Sequence, residues 1–426
     1  TPKSMLVLIA TEIPELFGRF GIMTIIALYL TKNLQQTDAT AVTIFSTYLM
    51  LAAVTPMIGG ILADRFLGYK PAILLGAVMM IIGNVLMVIP TTLFLYIGLA
   101  ILVAGTGLFS PSLAALVSHL YQDQEQKRDK AFIAYYVAKN VGALLAPPLC
   151  GVIGVYFGYN SAFLLTTFGM VVGVLVFIRH HRHLPDITPT ALTSRSRALS
   201  RLFAFAVRQS VLASAVVMSL IAVVAVLIFT LNGRSVLLAV SVVATLLLFL
   251  HLFRVGDQQH RRHLGVMLLA MVALVAFLSM NHLCGASFNL FVERVIDRHV
   301  FSINIPTSVF YAIDPLFMLV FGALIATSLS RIQRPNYIVA CFSKFTLAML
   351  VFALAMLCFV IAAAHGAATG SAPSYYVVLC YSLCATSELC IVPIALSLIT
   401  KLAPIGQTGL AVGLFSFSDV IASYLT

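Results

Sequence analysis

Apolar runs of about 18 to 25 residues follow one another along almost the whole chain, parted by short clusters of Gly, Pro and charged residues. Each is long enough to cross a hydrocarbon core of ~30 Å as a helix, and inside lipid the backbone must satisfy its own hydrogen bonds. The chain is thereby restricted to an all-α polytopic membrane protein. Its composition, 61% hydrophobic and 9% charged, excludes a soluble globule, in which about a quarter of residues are charged.

The runs place spans at 5–30, 42–62, 71–89, 93–118, 131–153 and 161–178, then a polar basic segment from Arg179 to Arg208. Spans at 209–231 and 235–253, joined by the turn Asn232-Gly233, form a hairpin. After a second basic loop, Arg254 to His263, spans follow at 264–292, 307–329, 337–363, 374–398 and 408–425. The first run, from Met5 to Leu30, is too long for a cleavable signal and is read as the first span. This order suggests two six-helix halves around a midplane site, with an inserted pair. The expected division is 1–182 for the first half, 183–263 for the basic linker with its hairpin at 209–253, and 264–426 for a second half that stops after its eleventh helix.

The net charge of +11 would point to nucleic acid in a soluble protein, but the positive-inside rule explains it here, and no nucleic-acid partner is expected. With the N-terminus in the cytoplasm, nineteen of the 25 Lys and Arg residues fall at or near the cytosolic face. Four, Lys32, Arg234, Arg294 and Arg298, fall outside, and Arg19 and Lys139 lie within spans.

Ionisable groups at bilayer depth cost at least about 2.5 kcal/mol each and mark solute or ion paths. Glu12, Glu15 and Arg19 share one face of the first span, with Arg19 one turn from Glu15. Glu388 stands in an otherwise uncharged run, Lys139 and Asn140 occupy the middle of the fifth span, and Asp314 precedes Pro315. His282 is the single histidine at such depth and carries the side chain that exchanges protons near neutral pH. Snorkelling toward an interface, a structural ion pair or a satisfied core histidine are the plainer readings of these groups. Asp419 reads equally as gating, structural or functional.

Enzyme signatures are absent: there is no Gly-rich phosphate loop after a strand, no HExxH and no GxSxG. His282 has no serine or aspartate one turn away apart from Ser279, so no catalytic set is expected. The Gly105-Thr106-Gly107 run lies in an apolar helix, where small residues permit close packing. The seven cysteines have neither a disulfide framework nor zinc spacing and read as small buried apolar residues. No metal and no cofactor other than a proton gradient is expected.

Several segments, in order from about residue 5 to the end, resemble the proton-dependent oligopeptide transporters of the major facilitator superfamily. They are Asp64-Arg65-Phe66-Leu67-Gly68, Gly105-Thr106-Gly107-Leu108-Phe109, Asn140-Val141-Gly142-Ala143, Phe288 to Arg298, Ile305-Pro306-Thr307-Ser308, Ser387-Glu388-Leu389-Cys390 and Thr400-Lys401-Leu402-Ala403-Pro404. The hairpin at 209–253 resembles the extra helix pair of bacterial members. The resemblance implies symport of di- and tripeptides with protons by rocking of two halves. It also implies that an arginine and a lysine receive the peptide carboxylate and that Glu388 receives the ammonium.

Departures cluster among the polar positions. The family's first-helix pattern ExxERFxYYG aligns with Glu12 to Gly21, where its arginine is Leu16 and an aromatic position has become Arg19. The lysine usual after the GTGxF run is Ser110, and Lys139 stands at a normally apolar position beside Asn140. In the pattern FWAxxEQ, aligned with Phe277 to Leu283, the glutamate is replaced by His282. Asp314 stands for an asparagine, and Phe415 for a tryptophan.

The expected function is proton-coupled symport of di- and tripeptides or peptide-like solutes by a bacterial inner-membrane protein, acting as a monomer. Glu12, Glu15, Arg19 and His282 are the candidates for proton coupling. Arg19, Lys139, Asn140, Asn281, Asp314 and Glu388 are those for the solute. The rivals are a transporter or exporter of a non-peptide metabolite such as a siderophore, and a membrane sensor without turnover.

Overall fold

A computed structural model describes residues 2–120, 125–185, 214, 218–230, 233–255, 258–300, 303–330, 337–402 and 408–426. The described chain is helical, as its hydropathy demands: α1 Pro2–Lys32, α2 Asp38–Leu62, α3 Tyr69–Met87, α4 Thr92–Leu120, α5 Glu125–Phe157 and α6 Tyr159–His180. There follow α7 Met218–Thr230, α8 Arg234–Val255, α9 Gln258–Val295, α10 Thr307–Phe310, α11 Ile313–Ser330, α12 Tyr337–Thr369, α13 Tyr375–Leu402 and α14 Thr408–Leu425. Among the described residues ten helices are long and apolar enough to cross a membrane. Four two-residue strands lie between helices, pairing Ile296 with Ala372 in parallel and His299 with Asn304 antiparallel.

Two expected elements differ. The span at 307–329 is broken at Tyr311-Ala312, between α10 and α11. Pro315 supplies the reason: lacking an N–H it cannot bond back to the carbonyl of Tyr311, and it sits in the first turn of α11, where helices tolerate it. The Asp64-Arg65-Phe66-Leu67 motif is not an open loop but a π-helical turn, Ala63–Leu67, that extends α2. Gly68 ends it at φ 77°, a left-handed conformation natural to glycine, and donates its N–H to Ala63 O at 2.8 Å. Of the hairpin at 209–253, residues 209–213, 215–217 and 231–232 lie outside the described residues.

The chain packs as two compact units. One comprises Thr1–Ile22, Leu51–Ala146 and Ile153–Gly233, the other Met23–Met50, Pro147–Val152 and Arg234–Thr426. In the first unit the helices meet through glycines. A Cβ on Gly76 would lie 2.6 Å from Gly105 O, and one on Gly83 2.6 Å from Gly98 O, so α3 and α4 touch backbone to backbone. Gly105→Val is accordingly expected to prevent this contact and to lower the yield of folded protein at least severalfold, measured by size-exclusion chromatography in detergent; normal yield and melting would refute the packing role.

Polar contacts join the parts of the second unit. Glu293 of α9 accepts from Lys32, from Arg298 at 3.3 Å and from Thr307, while Arg294 pairs with Asp38 through two hydrogen bonds. Asn289 Nδ2 reaches Thr24 O at 3.2 Å. The ends of α1 and α2 that carry Lys32 and Asp38 are thereby tied to α9. The four cations that the sequence reading places outside all have partners: Lys32 and Arg298 share Glu293, Arg294 pairs with Asp38, and Arg234 lies over the Tyr424 ring at 5.3 Å.

Glu293→Gln is expected to destabilise the fold by about 1.5–3 kcal/mol, because one half-buried carboxylate serves three donors. Asp38→Asn should cost less than about 1 kcal/mol, since the Asp38 and Arg294 side chains are 44% and 56% exposed. Thermal unfolding in one detergent would rank them; equal shifts would contradict the network.

Candidate functional site

Polar groups buried in apolar helices need partners, and each unit supplies its own set. In the first unit the acidic face of α1 is built around Pro14, which cannot donate a backbone hydrogen bond to Ala10. Glu12 and Glu15 are fully buried. Arg19 grips Glu15 with two hydrogen bonds, Nη2 to Oε1 at 2.7 Å and Nε to the same oxygen at 3.1 Å. The pair expected from one-turn spacing is thus formed.

The guanidinium also donates to Ser110 Oγ on α4 at 3.1 Å. This partner was not legible in the sequence, since Ser110 lies 91 residues away. It puts the positive charge of Arg19 beside the α4 position at which the resemblance leads one to expect lysine. Asn140 of α5 is buried. Its helix closes on α1 through Gly142, where a Cβ would lie 2.5 Å from Ile13 O and 3.2 Å from Leu16 Cβ. Lys139 falls within α5, but its side chain lies outside the described residues.

In the second unit Glu388 sits at mid-helix in α13, five residues before Pro393, whose ring leaves the carbonyl of Leu389 without its usual helical donor. Asn281 Nδ2 of α9 donates to Glu388 Oε2 at 3.3 Å. Asp314 opens α11, and its Oδ1 is buried with no hydrogen-bond partner among the described residues.

His282 is not the isolated histidine that the sequence suggested. Its Nε2 lies 3.2 Å from Asp419 Oδ1 and its Nδ1 3.1 Å from Ser423 Oγ, both on α14. Ser279, the near neighbour in sequence, instead donates to Val275 O at 2.7 Å. Asp419 and Ser423 are therefore the residues that sequence reasoning missed as partners; the signal was their one-turn spacing in an apolar helix. Among the described residues no cluster of three or more His, Cys, Asp and Glu suits a metal ion. The cysteines are free and six of the seven are buried, with Cys284 Sγ and Cys384 Sγ 3.9 Å apart.

These polar sets can be set against known proteins. Dipeptide and tripeptide permease A of Pectobacterium carotovorum subsp. carotovorum (strain PC1) is 26% identical over 439 residues, covering 100% of this chain and 83% of the permease. Dipeptide and tripeptide permease B of Xenorhabdus bovienii (strain SS-2004) is 24% identical, covering 100% of this chain and 86% of that one. Among solved structures, tetrameric PepTSo2 superposes with a TM-score of 0.83 at 27% identity, covering 100% of this chain and 88% of that one. A peptide transporter crystallised with sulfate has the same fold, with a TM-score of 0.84 at 24% identity, covering 99% of this chain and 87% of its own. The POT family model matches residues 70–426, most of the chain. With its helical frame and buried acid–base groups, this multi-pass membrane protein belongs to the POT family.

Proposed function

We propose that the chain carries di- and tripeptides, or peptide-like solutes bearing an amine, across a bacterial inner membrane together with protons, by alternating access. The observation that carries this reading is the Glu15–Arg19–Ser110 cluster on the POT frame. A buried carboxylate and its cation form a pair that protonation can open, which is what a proton-driven conformational change requires. Glu12 is buried beside it, and Arg19 offers the cation for a substrate carboxylate. Glu388 with Asn281 offers an anionic seat for an ammonium. Asn140, Lys139 and Asp314 are proposed as further solute-facing groups, the chain as a monomer, and its N-terminus as cytoplasmic, on the excess of Lys and Arg in the loops on that side.

Reconstitution into proteoliposomes tests the proposal. An inward proton gradient is expected to drive accumulation of labelled dialanine or another peptide of a broad panel at least severalfold above the gradient-free level, and a protonophore should abolish it. Absence of gradient-dependent uptake across the panel would sink it. A second reading, transport of an amine-bearing metabolite rather than a peptide, is favoured by the departures at Leu16, Ser110 and His282. A POT transporter with the same fold has been crystallised with 5-aminolevulinic acid. Competition of that compound and of siderophores with labelled peptide separates the two.

A further inference from the structure

His282 is held at both ring nitrogens by α14, and the hydrogen positions follow from the neighbours. Ser423 has one hydroxyl proton, and its Oγ lies 2.8 Å from the carbonyl oxygen of Asp419, one turn back on the same helix. With that proton on the carbonyl, the hydroxyl oxygen faces Nδ1 as an acceptor. The Asp419 carboxylate faces Nε2, also as an acceptor. Two acceptors at two ring nitrogens suit a ring that carries a proton on each. A neutral ring is accommodated only when one proton leaves Nδ1 and Ser423 turns its hydroxyl from the carbonyl to the bared nitrogen.

We infer that His282, Asp419 and Ser423 form a proton-loading relay of this chain, with Asp419 holding the charged imidazole and Ser423 passing the change of protonation to the backbone of α14. The balance is simple: loading adds one proton at Nδ1 and returns the Ser423 hydroxyl to Asp419 O. Unloading releases that proton to solvent and reverses the turn, with no other bond made or broken. The His282 and Asp419 side chains are 15% and 34% exposed, so the proton can leave without parting α9 from α14. Ser423, by contrast, is fully buried, which suits a reporter rather than an acceptor from water.

The charged groups facing His282 are Asp419 from α14 and Glu388 from α13, whose carboxyl interacts with the imidazole through space. Helices α8 and α12 also pack on α9, and among the described residues they place no charged group within ion-pair reach of His282. Consecutive residues of α9 thus serve two helices: Asn281 holds Glu388 of α13, and His282 holds Asp419 of α14. Proton loading at residue 282 is thereby joined through a single peptide unit to the proposed amine seat.

The role in coupling rests on the transport reading, so the test has one arm that does not. Full-length protein labelled with 15N-histidine in nanodiscs, with His282 assigned by loss of its signal in His282→Gln, reports whether both ring nitrogens carry protons at about pH 6. In Asp419→Asn the doubly protonated fraction is expected to fall at least severalfold, and Asp419→Glu should restore it. In the second arm, the pH profile of gradient-driven dialanine uptake should move in Asp419→Asn by about tenfold in proton concentration toward acid. A merely structural Asp419 would lower uptake at every pH without moving the profile. An unchanged protonated fraction, or a changed fraction with an unmoved profile, overturns the relay. Absence of uptake by the unaltered protein sinks the transport reading instead, and the first arm still decides whether the pair holds the proton.

Discussion

Glu388→Gln is expected to reduce uptake of an amine-bearing solute by about 30-fold or more while leaving the protein folded and inserted. Truncating one partner of a desolvated, hydrogen-bonded charge pair costs about 2–5 kcal/mol. At ~1.4 kcal/mol per factor of ten, that range spans losses of about 30-fold to several thousandfold. Glutamine keeps the volume of the side chain, and its amide oxygen can still accept from Asn281 Nδ2, so the contact between α9 and α13 survives. A drop in Tm of no more than a few degrees would confirm that. An N-acetylated dipeptide, which has no ammonium, supplies the control: its transport by the unaltered protein should be weak and should change little in the variant. Equal loss for both solutes would mean a general defect, and unchanged uptake of the free-amine peptide would remove Glu388 from the solute seat.

The helical frame was legible because hydropathy acts on every residue of a span. The runs expected at 93–118 and 235–253 correspond to α4 Thr92–Leu120 and α8 Arg234–Val255. What hydropathy misses is an interruption that stays apolar. Tyr311-Ala312 breaks the span at 307–329 without any change in polarity, and Pro315, three residues on, was the one mark of it. The turn Ala63–Leu67 escaped for the converse reason: its charged residues read as a loop, yet they wind on as helix. The turn falls between two expected spans, whereas the break falls four residues into one.

The polar residues divide along the same physical line. Glu15 and Arg19 are neighbours on one helix, so the 3.6-residue period brings them together and the sequence suffices. The Ser110 contact and the Asp419–His282–Ser423 arrangement join helices far apart in sequence, 141 residues in the case of Ser423. Such pairings depend on which faces of two helices meet, and a single sequence carries no record of that. Several departures from the POT pattern fall at these same contacts. Leu16, Arg19 and Ser110 are one exchange seen three times: the cation moves along α1 and reaches a hydroxyl on α4 where a lysine would otherwise stand. His282 and Asp419 carry the same lesson in the second unit, where a histidine replaces a carboxylate and is met by a carboxylate from another helix.

Arg19→Gln is expected to be damaging twice over, and a double substitution separates the two effects. The Glu15 side chain is fully buried, whereas Arg19 is 28% exposed, so deleting the arginine strands a charge while deleting the pair does not. Breaking such a pair from one side costs on the order of 3 kcal/mol, while replacing both members by neutral groups is often close to neutral. Arg19→Gln alone should therefore lower both Tm and uptake, and Glu15→Gln with Arg19→Gln should recover most of the Tm. Uptake should not return in the double variant, because the cation offered to a substrate carboxylate and the pair opened by a proton are both gone. Exchange of labelled for unlabelled dialanine without a gradient tells these apart. If the lost cation is what matters, exchange fails along with accumulation; if only the proton-sensitive pair matters, exchange persists in the double variant while accumulation stays lost. Recovery of full gradient-driven uptake in the double variant would show that Glu15 and Arg19 serve the fold and not transport.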